Sequence, residues 1–371
     1  MTGTRSPHGT NRLPALQELA TTSGIAAVVI GLSSNMRYLV GFTDEPGERM
    51  LLLIVPRSGE ATMIVPALYA DQVTNHFGGP IRVWADGEDP AALVATTAAE
   101  LASVPGRILV DDSLWAAMLL PVQKAFSGRE IGLASEMLAS LRMRKAPEEI
   151  DAMHRAGQIA DRALEEAIGE PIVGLTELEL ADRLERSMRA AGAEGTAFET
   201  LVASGPNSAL PHYRAGQRRI GVGDVVILDY GCRVDGYCSD MTRTVCCGPP
   251  SVEVRAAYDA VRAAHDAGVR SAQADAQAQD VDRATRRVLT DAGFGEAFSH
   301  RTGHGIGLDV HEPPYIVEGN EMRLETGMAF SVEPGAYFPG SFGIRLEDIV
   351  AVTEAGARSM TEAPRELRIV E

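Results

Sequence analysis

The sequence predicts two domains, an α/β domain over residues 1–143 and an α+β domain over 144–371 with helices outside a largely antiparallel sheet. Three observations predict this. At 371 residues the chain exceeds the usual size of one hydrophobic core. Up to the seam near 141–146, strand-like and helix-like stretches alternate, as in an α/β domain. Beyond it, four helical stretches are interleaved with apolar runs and a strong two-residue hairpin signal, Asp235-Gly236.

The elements follow in order. Leu13, Leu16 and Leu19 recur at helical spacing, Gly24 can stop that helix, and 25–32 reads as a buried strand. Strands at 50–55 and 61–65 flank the turn residues Ser58-Gly59. A helical stretch near 67–75, a strand at 81–84, a helix at 90–102, a strand at 107–110 and a helix from about 113 complete the first domain. His76, Trp84 and Trp115 are isolated there and read as surface or packing residues. After the seam, Pro147 takes a first-turn position, with Glu148 and Glu149 where the helix dipole favours negative charge. Ile150, Met153, Ala160, Leu164 and Ile168 share one face of that helix. Thr176-x-x-Glu179 is a capping box opening a second helix, whose buried face is expected at Leu178, Ala181, Leu184 and Met188. Two further helical stretches lie at about 252–274 and 280–292.

Composition narrows the function classes. The chain is 45% hydrophobic and 23% charged, as in soluble globular proteins. A net charge of −17 with no basic stripe argues against nucleic acid as a partner. The longest apolar run, 50–55, is far too short to span a bilayer. Met1 to Asn11 is polar and lacks the apolar centre of a secretory signal, so a cytoplasmic location is expected. The four cysteines, Cys232, Cys238, Cys246 and Cys247, are then expected to be reduced, and no CxxC pair suggests zinc.

The chemistry concentrates in three clusters. Four apolar residues, Val225 to Leu228, suggest a strand buried on both faces, and an aspartate at its end, Asp229, is costly unless paired or metal-bound. With Asp235-Gly236 as the loop, Asp229 stands opposite Thr242, and Asp240 is its diagonal neighbour on the same face. An ordinary surface hairpin with Asp240 solvated fits the same pattern. The second cluster, Thr302-Gly303-His304-Gly305-Ile306-Gly307, leaves a histidine unobstructed among glycines, with His311 seven residues on. No helix signal follows, so a dinucleotide loop is disfavoured. The third places Glu333 after Met328–Val332, and Arg345 and Glu347 two apart on one strand face, where a structural ion pair is the alternative. Together, Asp229, Asp240, His304, Glu333 and Glu347 are too many carboxylates for one buried site without cationic compensation. Two divalent ions about 3.5–4 Å apart can share carboxylates and hold a water as hydroxide. Carboxylates with one imidazole suit manganese, with cobalt, iron or zinc as alternatives.

These residues resemble those of the pita-bread metallopeptidases, which include methionine aminopeptidase, aminopeptidase P and prolidase. The resemblance covers the chain from about Ala146 to its end, and more loosely a creatinase-type N-terminal domain. It implies that Asp229, His304 and Glu333 each bind one metal while Asp240 and Glu347 bridge two. Ala203-Ser204-Gly205-Pro206-Asn207-Ser208-Ala209-Leu210-Pro211-His212-Tyr213 resembles the family's substrate-side segment. By that likeness His212 lies near the scissile carbonyl or its oxyanion, and His311 contacts the substrate. Glu333 would also shuttle the proton, and Arg345 would orient Asp240. Arg345 ahead of Glu347-Asp348, and an N-terminal domain of this size, resemble the proline-specific branch. The implied substrates are small peptides with proline at the second position, and relatives of this type are often homodimers.

Within that branch the compact chain favours an Xaa-Pro dipeptidase over an aminopeptidase P acting on longer peptides. A metal-free creatinase-like hydrolase would have changed ligand positions, whereas all five remain here. A non-catalytic binding protein on the same fold would be expected to lose ligands and carry charged tails. His154 and His265 read as surface or packing residues on helices, and a substrate-side role stays open for His300.

Overall fold

The computed structural model describes residues 12–371, so the polar segment Met1 to Asn11 lies outside the described residues. The chain divides after Arg142 into two compact units. The first is built on a six-stranded mixed sheet in the order Ile81–Trp84, Thr62–Pro66, Leu52–Pro56, Ile25–Ile30, Arg107–Val110, Ile131–Leu133. Val94 and Ala98 of helix Ala91–Glu100, and Met118 and Val122 of helix Ala116–Ala125, close the core over Val29, Ile54 and Ile108. Trp84 belongs to this core and donates its indole N–H to Met50 O at 2.9 Å.

Helices Ser34–Val40 and Ser135–Met143 are not anticipated by apolar periodicity. The first is only seven residues long and is defined by its ends. Ser33 accepts from Asn35 N, and Gly41, at φ 75°, closes the last turn in the left-handed conformation.

The second unit carries a nine-stranded sheet, antiparallel except where Arg368–Val370 joins it. Its main path runs Glu312–Ile316, Gly303–Gly305, Ala329–Val332, Glu347–Thr353, Met241–Cys247, Val225–Tyr230, Leu201–Ser204. Strand alternation decides what faces the site. Val226, Leu228 and Tyr230 point to helices Pro147–Ile168 and Glu177–Ala190, packing with Leu164, Leu184 and Met188. Ile227 points the other way, with Leu201, Ala203 and Tyr337, and Asp229 is the next residue of that parity. On the neighbouring strand Met241 and Val245 join the helical core, which leaves Thr242 and Thr244 on the site face. The remaining helices, Val252–Ser271 and Ala278–Asp291, cover Phe330, Val332, Val350 and other core residues.

The buried face of helix Glu177–Ala190 differs from expectation. Leu178 is 48% exposed, and the stripe runs through Glu177, Leu180, Ala181, Leu184 and Met188. A charged residue in that stripe is what periodicity of apolar residues alone misses. Among the described residues no helix is long and apolar enough to cross a membrane. All four cysteines are free and buried.

Candidate metal centre

The hairpin has the expected register. Asp235 and Gly236 both take positive φ, 51° and 79°, as a two-residue turn of this kind requires, and Thr242 pairs with Asp229. Glycine allows the close approach at His304: a Cβ on Gly303 would lie 1.8 Å from Ser331 O, and one on Gly305 2.3 Å from Pro313 O. Ser331 Oγ accepts from His304 N at 2.9 Å and donates to Glu333 Oε1 at 3.1 Å, tying two adjacent strands to one another at the site.

All eight residues singled out in the sequence, His212, Asp229, Asp240, His304, His311, Glu333, Arg345 and Glu347, line one cavity of about 360 Å³. Ligand atoms of Asp240, His304 and Glu347 lie within 4.8 Å of one another. His304 Nε2 is 3.3 Å from Glu333 Oε1 and 3.8 Å from Asp240 Oδ2. His304 Nδ1 lies 3.1 Å from Gly305 O, a carbonyl that can only accept, so the ring proton sits on Nδ1. Burial, reinforced by the adjacent His311, lowers the His304 pKa to about 3, so the ring is neutral and its Nε2 lone pair faces carboxylate oxygens.

That arrangement fits divalent cations. The cavity lining carries Glu199, Asp229, Asp240, Glu333 and Glu347 against Arg214, Arg301 and Arg345, so the acids outnumber the bases. Burial and then the neighbouring carboxylates push Asp240 and Glu347 well above the usual range. Glu333 rises to about 7, chiefly through burial, with Arg345 pulling it down. Asp229 Oδ1, Asp240 Oδ1 and Glu347 Oε1 are buried without a hydrogen-bond partner. Unsatisfied carboxylate oxygens and an unprotonated imidazole nitrogen, all turned inward, are a ligand set.

Arg345 departs from its expected role. Its Nη2 contacts Asp229 Oδ2, not Asp240. Its Nη1 donates to Tyr337 Oη at 3.0 Å and Pro211 O at 3.2 Å, and its Nε to Thr242 Oγ1 at 3.1 Å. Glu347 Oε2 accepts from that same threonine hydroxyl at 2.6 Å. The reason is positional: Arg345 ends strand Phe342–Arg345, which packs against strand Val225–Tyr230, the one that carries Asp229.

Several further neighbours complete the site, among them His300, whose substrate-side role the sequence leaves open. Tyr337 takes the Arg345 hydrogen bond and lies 2.9 Å from His300 Nε2, which puts His300 in the cavity wall. Burial lowers His300 to about 4, so it too is neutral. Arg301 lines the cavity with its guanidinium 4.6 Å from the centre of the Tyr315 ring. Glu312, beside His311, is held by buried Lys145 at 2.7 Å. His265 is buried, with Nε2 3.1 Å from Asp348 Oδ2, on the helix side of the sheet, and His154 Nε2 lies 3.3 Å from Gln158 on its helix.

The comparison with known proteins agrees with this geometry. Residues 151–354 match the model of metallopeptidase family M24, and residues 12–144 match that of the Creatinase/Prolidase N-terminal domain. The chain belongs to metallopeptidase family M24. It is 40% identical over 362 residues to the probable dipeptidase PepE of Mycobacterium tuberculosis, covering 96% of this chain and 95% of that protein. It is 33% identical over 362 residues to an Xaa-Pro dipeptidase of Lactobacillus helveticus, covering 96% and 98%. The crystal structure of a prolidase from Thermococcus sibiricus superposes with a TM-score of 0.93 at 39% identity, over 97% of this chain and 98% of that one.

As an M24 metallopeptidase the protein works with divalent metal ions, and the orphaned oxygens above are the atoms available to them. Thr242 then matters through its hydroxyl, which fixes Glu347 and Arg345 together. Thr242→Val keeps the shape and removes both bonds. It is expected to weaken metal binding by about 10- to 100-fold, measured by calorimetric titration of metal-free protein.

Proposed function

We propose that this enzyme hydrolyses the peptide bond preceding proline in Xaa-Pro dipeptides, with two divalent cations held by Asp229, Asp240, His304, Glu333 and Glu347. The observation that carries the reading is the grouping of ligand atoms of Asp240, His304 and Glu347 within 4.8 Å of one another, in a cavity where Asp229 Oδ1, Asp240 Oδ1 and Glu347 Oε1 are buried without a hydrogen-bond partner. Cations bound there would polarise the scissile carbonyl and lower the pKa of a water to near neutrality, so that it attacks as hydroxide. Among carboxylates with a single imidazole, manganese is the best match, with cobalt, iron and zinc as alternatives.

The chain's own groups do the rest. Glu333, whose Oε1 lies 3.3 Å from His304 Nε2 in the cavity, takes the proton given up by water and delivers it to the leaving nitrogen. That nitrogen, in proline, carries no hydrogen before cleavage and must gain one. His311, kept neutral first by burial and then by Arg301, and His212 on the opposite loop donate to the carbonyl oxygen as charge develops. Arg345 holds Asp229 in place. A dipeptide ends in a free carboxylate, and Arg301 offers a cation in the cavity wall, its guanidinium over the Tyr315 ring. The dipeptidase and prolidase relatives support the same substrate class.

Metal-stripped protein reloaded with Mn, Co or Zn should split Ala-Pro and leave Ala-Pro-Ala and Ala-Ala-Ala intact. Cleavage of Ala-Pro-Ala before proline would mark an aminopeptidase P instead, and turnover of Ala-Ala-Ala would sink the proline specificity. We also place the enzyme in the cytoplasm, in keeping with four unpaired cysteines, and propose a homodimer, to be read by light scattering.

A further inference from the structure

The loop that brings His212 to the cavity has no regular structure between Leu210 and Ile220, and it is held from behind. Glu177, the first residue of helix Glu177–Ala190, is 0% exposed, and among the described residues no cation is hydrogen-bonded to it. Hydrogen-bond donors surround it instead. Its Oε1 accepts from Ser204 N at 2.8 Å, Ser204 Oγ at 2.7 Å and Asn207 Nδ2 at 3.0 Å. Its Oε2 accepts from Tyr213 Oη at 2.8 Å and Gly216 N at 3.2 Å. The helix N-terminus adds to this hold, because Glu177 N donates to Arg218 O and Leu178 N to Gly216 O, both at 3.0 Å.

We infer that Glu177 is the positioning residue for His212. His212 sits between two anchors of opposite origin. On one side Pro211 O accepts from Arg345 Nη1 at 3.2 Å, which ties the loop to the metal-side residues. On the other, Tyr213 Oη donates to Glu177. The His212 side chain itself is exposed to the cavity, so its aim depends on these two neighbours. Only a carboxylate suits the Glu177 position: an amide would turn an NH2 group towards donors on one side. The helix dipole at this first turn favours the negative charge as well.

This inference rests on the substrate-side role proposed for His212, and a double-mutant cycle tests the two separately. In metal-loaded enzyme acting on Ala-Pro, Glu177→Gln should lower kcat/KM by about 10- to 100-fold, the scale of a displacement near 1 Å. In a His212→Ala background the same change should cost less than about 2-fold, because the group it aims is gone. Metal affinity by calorimetry should be unchanged in every variant, which a general loosening of the domain would not allow. Should Glu177→Gln fail to fold, Tyr213→Phe removes one hydroxyl and should show the same non-additivity with a smaller loss. A strongly impaired His212→Ala enzyme whose loss adds fully to that of Glu177→Gln or Tyr213→Phe overturns the inference alone. A His212→Ala enzyme of full activity overturns the role of His212 and the inference with it.

Discussion

Asp240→Ala is expected to lower kcat on Ala-Pro by roughly 10³-fold or more, beyond the ~10²–10³ that follows loss of a single stabilising donor. Asp240 would serve the proposed cation site on two counts. Its Oδ1 is buried without a partner, and its Oδ2 lies 3.8 Å from His304 Nε2, with Glu347 completing the group. Deleting it removes a ligand and also part of the charge that makes the cavity attractive to cations. Metal content after dialysis should fall with activity, and excess metal should restore little. Retention of full activity would remove the metal mechanism. The wild-type protein should show the matching linkage. Burial and mutual repulsion raise Asp240 and Glu347, so the metal-free native state holds protons that the unfolded chain has released. Stability of the metal-free form from these groups is therefore full below the ordinary carboxylate range, about pH 4, and is lost as pH rises towards their raised values. Metal uptake near neutrality should release protons, visible as a dependence of the calorimetric heat on buffer.

What could be read from the chain beforehand was local or parity-based. Asp235-Gly236 sets a hairpin register, and register alone puts Thr242 opposite Asp229 and turns both towards the cavity. The glycines around His304 announce close backbone packing, which the contacts of Gly303 and Gly305 explain. What could not be read depends on chain segments far apart. Arg345 follows Asp229 because two different strands meet at that corner, and no spacing rule relates positions over a hundred residues apart. Glu177 was hidden because a charged residue at a helix start reads as a dipole partner facing solvent, whereas the loop folds back over it. Tyr337 and His300 meet only through the two-stranded sheet Gly335–Phe338 and Phe342–Arg345. Helix Ser135–Met143 escapes a reading by periodicity because an element of nine residues beside a domain boundary resembles a linker.

Arg345 carries the second large effect, and it separates charge from geometry. The side chain is 4% exposed, and Asp229, its partner, is 17% exposed, so neither is well solvated when the other is removed. Arg345→Met leaves Asp229 and its neighbouring acids without their guanidinium, and breaking a buried pair from one side costs about 3–5 kcal/mol. The loss should be largest in metal-free protein, where no other cation shares the compensation, and urea unfolding with and without chelator measures it. Arg345→Lys restores the charge. It does not restore the fork, because one ammonium cannot reach Asp229, Thr242 Oγ1, Tyr337 Oη and Pro211 O together. Stability should therefore recover by more than half in the lysine variant, while kcat stays depressed by about 10- to 100-fold. A lysine enzyme with wild-type kcat would mean that Arg345 supplies charge alone and that the aim of Asp229, and of the loop tied through Pro211, does not depend on it.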